Sequence, residues 1–162
     1  MRARRVLLIV ALAGVAAFAL IQLVPYGHDH TNPRVTAEPV WDSARTERLA
    51  RDACFACHSN ETEWPWYTSV APFSWLVQHD VEDGRATLNF SEWNRPQFEL
   101  EDIGEVVLVG EMPPNQYRLI HAEARLTDAE RRALAEGLET TVRTSPPGST
   151  ANGGSSGDSD RD

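Results

Sequence analysis

Lysine is absent from this chain, and all 15 basic side chains are arginine. We read that as the codon bias of a GC-rich genome, not as function. Positive charge is scarce as well: Asp and Glu number 24, and the net charge is −9. Phosphate recognition needs a basic face, so a nucleic-acid partner is argued against. Cysteine is limited to Cys54 and Cys57, too few for the disulfide framework of a small secreted protein. Methionine is limited to Met1 and Met112. No internal repeat is visible. No segment alternates apolar and polar residues for long, as a half-buried strand would.

The one long apolar run is Val6 to Val24, preceded by Arg2, Arg4 and Arg5. It is close to the roughly 20 residues that cross a bilayer as a helix. The arginines place its N-terminus in the cytoplasm and the rest of the chain outside. A cleaved signal peptide is the alternative, with Ala17-Phe18-Ala19 as the small-residue site. Cleavage there would leave LIQLV on the mature chain, which favours an uncleaved anchor. Residues 1–25 are thus a membrane anchor or signal segment. Residues 26–39, polar with two prolines and a glycine, read as a tether. Residues 144–162, rich in Gly, Ser and Asp, read as a disordered tail.

The folded part is then 40–143, and its signals are helical. Apolar spacing predicts helices over Asp42–Cys57, Pro72–Glu82, Glu99–Val109 and Thr127–Val142. The last opens on Thr127-x-x-Glu130, a capping box. Arg85 to Phe98 reads mostly as loop. The expectation is a small all-α domain of three or four helices. A domain this size with long irregular segments is short of core, and a large flat cofactor would fill the deficit.

The motif that carries chemistry is Cys54-Phe55-Ala56-Cys57-His58. In C-x-x-C-H two thiols add across the vinyl groups of haem, and the histidine presents an imidazole nitrogen to the iron. All three side chains sit on about one helical turn. This is the c-type haem attachment signature, with His58 as proximal ligand. A thioredoxin-like redox pair needs a βαβ fold, and no strands are visible for it. A structural zinc site needs four ligands, and only three are at hand. For the sixth iron ligand the candidate is Met112, on a loop stiffened by Pro113 and Pro114. Its thioether would raise the potential. His79 and His121 are the rivals. Trp64, Trp66 and Tyr67, with Trp75 and Trp93, are either plain core or a wall around the haem. Arg85 is either a propionate partner or a solvated surface arginine.

These blocks, in order, resemble a known family. CxxCHSNETEWPWY, APFSW, DVEDGRATLNFSEW, GEMPPNQY, His121 and LTDAERRAL are similar to the haem-binding-domain family of bacterial membrane-anchored, c-type cytochrome-like proteins. The resemblance covers about Asn32 to Leu138. Met112-Pro113 followed by Leu126-Thr127-Asp128-Ala129-Glu130 also resembles the end of a class I cytochrome c, where the methionine is the distal ligand and the last helix packs across the first. The resemblance implies a cytochrome-c-like domain that binds haem and transfers electrons. The expected protein is a single-pass cell-membrane protein with its haem domain on the extracytoplasmic side. It would carry one covalent haem c, pass single electrons to a redox partner protein, and be a carrier rather than a catalyst. Alternatives are a haem peroxidase, a gas or redox sensor with an open axial site, and a haem-free thiol–disulfide oxidoreductase.

Overall fold

The computed structural model describes residues 2–149. The described residues are helical with no strand; Ala37 and Glu92 form one isolated parallel bridge. The helices are α1 (Arg2–Ile21), α2 (Ala44–Ala53), α3 (Phe55–His58), α4 (Phe73–Thr87), α5 (Ile103–Leu108), α6 (Asn115–Ile120) and α7 (Asp128–Thr144), with a 3-10 turn at Trp66–Ser69. The all-α expectation holds. The chain divides into two units, Met1–Thr31 with Glu63–Asp83, and Asn32–Thr62 with Gly84–Asp162.

In the first unit α1 is long and apolar enough to cross a membrane, and none of it is buried. The chain leaving α1 is held against the start of α4, not left free. Gln22 donates from Nε2 to the Ala71 carbonyl (3.1 Å) and accepts from the Ala71 N–H (3.0 Å). The Tyr26 hydroxyl donates to Glu82 Oε2 at 3.1 Å. Gly27 has φ +89° and is buried on Ser74; a Cβ there would lie 2.6 Å from the Ser74 carbonyl carbon. Only glycine meets both demands. His30 Nε2 donates to the Thr68 carbonyl at 3.0 Å, and its ring stacks on Trp64 at 4.5 Å.

The second unit is built on α7. Thr127 Oγ1 accepts from the Glu130 N–H while the Glu130 carboxylate accepts from Thr127, the predicted capping box. Leu134, Ala135 and Leu138 of α7 are buried, and the helix packs against α2 and α5. Gly137 makes the approach to α2 possible, because a Cβ there would collide with the buried Thr46. An aromatic column completes this core. Phe55 stacks on Phe90 (5.5 Å), Phe90 stacks on Trp93 (5.9 Å), and Trp41 tilts against Phe55 and Phe90. Each such fully buried side chain contributes about 1.5–3 kcal/mol over leaving it in water.

Two expectations based on composition do not describe these backbones. The segment 26–39, read as a tether, is bonded in both units: Tyr26 and His30 in the first, and Asn32, Thr36 and Ala37 in the second. The start of the expected tail is also held. Ser145 O accepts from the fully buried Trp93 Nε1 at 2.6 Å, and the Gly148 N–H donates to Trp93 O at 2.8 Å. Polar, Gly-rich sequence supplies few apolar contacts, but its backbone groups still pair. The rest of that tail, 150–162, lies outside the described residues.

Candidate functional site

The attachment motif begins where α2 ends. Ser43 caps α2, its Oγ accepting from the Thr46 N–H. The predicted single helix over Asp42–Cys57 breaks at Cys54, whose φ of −121° and ψ of −33° leave helical geometry. The Cys54 N–H still donates to Ala50 O. Its carbonyl then accepts from the N–H groups of Cys57 (3.2 Å) and His58 (2.9 Å). Cys54, Cys57 and His58 therefore share one short turn, as the motif requires. Phe55, between the cysteines, points into the core and anchors that turn.

The His58 ring is held by the C-terminal end of α4. Its Nδ1 lies 3.0 Å from the Gly84 carbonyl and 3.1 Å from the Leu88 carbonyl. Carbonyls only accept, so Nδ1 carries the proton and Nε2 presents a lone pair. The last carbonyls of a helix lack intrahelical partners and form its negative end, so a donor is well placed there. Burial lowers the His58 pKa against the opposing pull of the two carbonyls, which keeps the ring neutral. Metal-ligating histidines are oriented in this way, by an outer hydrogen bond on the second nitrogen.

Gly84 also lets α4 come close. A Cβ at Gly84 would lie 2.6 Å from the Cys57 carbonyl oxygen and 3.1 Å from Cys57 Cβ. Sequence reasoning used this glycine as a helix stop; the helix instead runs through it to Thr87. Burial, then the proximity of Cys57, pushes the Cys54 thiol up to about 12. Neither cysteine is in a disulfide. Among the described residues no three His, Cys, Asp or Glu side chains converge on a point that could hold an ion, as a structural zinc site needs.

The loop after the motif is pinned by polar side chains that sequence reasoning had undervalued. Arg85 donates to Ser59 O (2.8 Å), Thr62 Oγ1 (2.9 Å) and Asn32 Oδ1 (2.9 Å). Burial lowers its pKa. Arg85, which the sequence offers as a propionate partner or a solvated surface arginine, thus ties Asn32 to the polypeptide that follows His58. Asn89 and Ser91 form a turn before Trp93, Asn89 Oδ1 accepting from the Ser91 N–H. They also reach the loop: Asn89 Nδ2 donates to Asn60 Oδ1, and the Asn60 N–H donates to Ser91 Oγ. Asn60 lies just past the motif, but Asn89 and Ser91 lie 29 and 31 residues further on, so nothing local in the sequence pairs them.

The other predicted residues are placed as follows. Met112 lies on the loop between α5 and α6, its N–H bonded to Val106 O and its side chain 38 % exposed. The loop turns at Gly110 with φ +82°. His121 Nδ1 meets Glu123 Oε1 at 2.8 Å, and its ring stacks on Tyr117. His79, in the first unit, is exposed and pairs with Asp83 at 3.3 Å. Trp64, Trp66 and Tyr67 belong to the first unit. There Trp64 stacks on His30, and Trp66 meets Tyr67 edge-on at 6.1 Å while remaining 80 % exposed.

The residues present fit a haem. The Cys54 and Cys57 thiols, held in no disulfide, share one turn with a neutral imidazole, and the Gly84 and Leu88 carbonyls already hold its other nitrogen. Comparison with known proteins agrees. Cytochrome c peroxidase Ccp of Escherichia coli (strain K12) is 28 % identical over 139 residues, covering 77 % of this chain and 30 % of that protein. The chain thus spans less than a third of that relative's length. No solved structure matches it. The family model described as haem-binding domain matches residues 16–140. With the model covering most of its length, this chain belongs to the haem-binding domain family.

Proposed function

We propose that this protein is a membrane-anchored mono-haem c-type cytochrome domain that carries single electrons outside the cytoplasmic membrane. The observation that carries the proposal is His58, whose Nδ1 is committed to Gly84 O and Leu88 O on the same turn as Cys54 and Cys57, which are not joined in a disulfide. In this reading Cys54 and Cys57 hold haem c through thioether bonds, and His58 Nε2 is the proximal ligand. Met112 supplies the distal thioether. Bound haem contributes a one-electron iron couple; the chain orients the imidazole and sets access. α1 is the anchor, and Arg2, Arg4 and Arg5 hold its N-terminus on the cytoplasmic side. The partner is a redox protein, and the net charge of −9 favours a basic one.

His79 and His121 each have a carboxylate partner, which supports Met112 as the distal ligand. The thiol–disulfide alternative is disfavoured because a thiol pushed up to about 12 is not a thiolate at neutral pH. A second reading, a peroxidase, draws on the similarity to the Escherichia coli protein. Visible spectra of the wild type and of Met112→Ala, with and without carbon monoxide, separate the two. The carrier reading expects a low-spin wild type that binds carbon monoxide slowly, and a variant that binds it at once. A high-spin wild type that binds carbon monoxide freely and consumes peroxide would establish the peroxidase.

A further inference from the structure

The first unit carries an exposed apolar surface. Trp66 is 80 % exposed, Phe73 is 59 % exposed, and Leu76 is exposed as well. Phe73 and Leu76 are three residues apart on the first turn of α4 and share a face. From Pro65 to Gln78 the sequence has no acidic or basic side chain. Acidic residues return only toward the far end of the unit's share of α4, at Asp80, Glu82 and Asp83. The unit is therefore polarised: bare aromatic surface at one end of the helix, carboxylates at the other.

The depth of the apolar end follows from α1. With Arg2, Arg4 and Arg5 on the cytoplasmic side, the run that crosses the bilayer is Val6 to Val24, about the length that a ~30 Å hydrocarbon core requires. Gln22, the first residue past α1 and close to the end of that run, then lies near the outer boundary. Its side-chain amide both donates to and accepts from the Ala71 backbone, and also donates to Phe18 O. Ala71 therefore shares that depth, flanked in sequence by Trp66 and Phe73. Tryptophan and other amphipathic aromatics concentrate at this level of a membrane. Gly27 on Ser74 and Tyr26 on Glu82 fix the same arrangement further along α4.

We propose that Trp66, Phe73 and Leu76 insert into the lipid headgroup region, making the first unit a membrane-seated collar around the exit of α1. The occupant of this surface is lipid. The inference rests on α1 being the membrane anchor, as proposed above. It gives the unit a fixed height above the bilayer in place of a flexible leash.

The test places the photo-crosslinker benzoylphenylalanine, one site at a time, at Val15, Trp66, Phe73 and Asp83 of the full-length holoprotein in phosphatidylcholine nanodiscs. Trp66 and Phe73 are exposed aromatics, so the substitution is mild there. Peptide mass spectrometry after irradiation reads what each position touches. Expected are lipid adducts at 15, 66 and 73 and none at 83. Lipid at 15 with no lipid adduct at 66 and 73, whether unreacted or crosslinked within the protein, would overturn the collar while leaving the anchor intact. No lipid at 15 would overturn both. Adducts from 66 or 73 to haem or to a second copy of the chain would give the surface a different occupant and refute the proposal.

Discussion

Gly84→Ala is the perturbation that probes the haem site without touching a proposed ligand. By propensity alone the change should help, since alanine in a helix interior is favoured over glycine by roughly 1 kcal/mol. The new Cβ, however, would lie 2.6 Å from the Cys57 carbonyl oxygen and 3.0 Å from its carbon. Carbon atoms in comfortable contact sit about 3.5–4.0 Å apart, and the obstructing atoms are backbone, which cannot swing aside. Overpacking of this kind costs about 1–3 kcal/mol. If α4 recedes, the two carbonyl bonds to His58 Nδ1 lengthen, at roughly 0.5–1.5 kcal/mol each. The opposing terms leave a net loss of about 1–5 kcal/mol. Urea unfolding of the holoprotein, followed by circular dichroism, reads the stability. The visible spectrum and midpoint potential of the same sample read the imidazole. We expect lower stability together with an altered spectrum or potential. A variant that gains about 1 kcal/mol and keeps both haem properties would refute the argument that close approach of α4 positions His58.

Three other outcomes follow from the packing. Gly137→Ala should destabilise strongly, because its Cβ would strike buried, β-branched Thr46, whereas Gly104→Ala should be tolerated, because the obstructing atoms belong to the side chain of exposed Glu139; thermal melts of the pair compare them directly. Trp93→Phe keeps an aromatic ring in the stack but removes part of the buried indole and the donor to Ser145 O, and leaving that carbonyl unpaired should alone cost about 1–3 kcal/mol in urea unfolding. Thr127→Ala removes the α7 cap and should cost about 1 kcal/mol. The Thr127 backbone N–H, then its hydroxyl, hold the Glu130 carboxyl below its ordinary 4.5. A depressed carboxylate stabilises fully above its unfolded value and loses that contribution as pH falls through its folded one. The stability gap between wild type and Glu130→Gln should therefore close on acidification below 4.5, as read by melts at stepped pH.

The parts legible in sequence were those with local causes. Thr127 and Glu130 announced α7 because a capping box is satisfied within one turn. C-x-x-C-H announced the candidate site for the same reason. What escaped was set by distant chain. α4 continues past Gly84 because the missing side chain admits Cys57, 27 residues away in sequence, and a glycine by itself reads as a stop. The break at Cys54 has no marker residue. The segment 26–39 looked like a tether because composition reports apolar burial, while Tyr26, His30 and Asn32 are held by polar bonds. Trp93 was legible as an important aromatic, but its partner is the Ser145 carbonyl, in a stretch that composition consigned to a tail.

The most direct test of the central claim asks whether haem stays with the polypeptide when the fold is destroyed. The full-length protein, made in a host that matures c-type haem, is extracted with acidified acetone and assayed as the pyridine haemochrome. The account predicts one haem per chain retained in the protein fraction, with retention lost when Cys54 and Cys57 are both changed to serine. Haem that passes entirely into the acetone, or a wild-type chain with none to release, would contradict it.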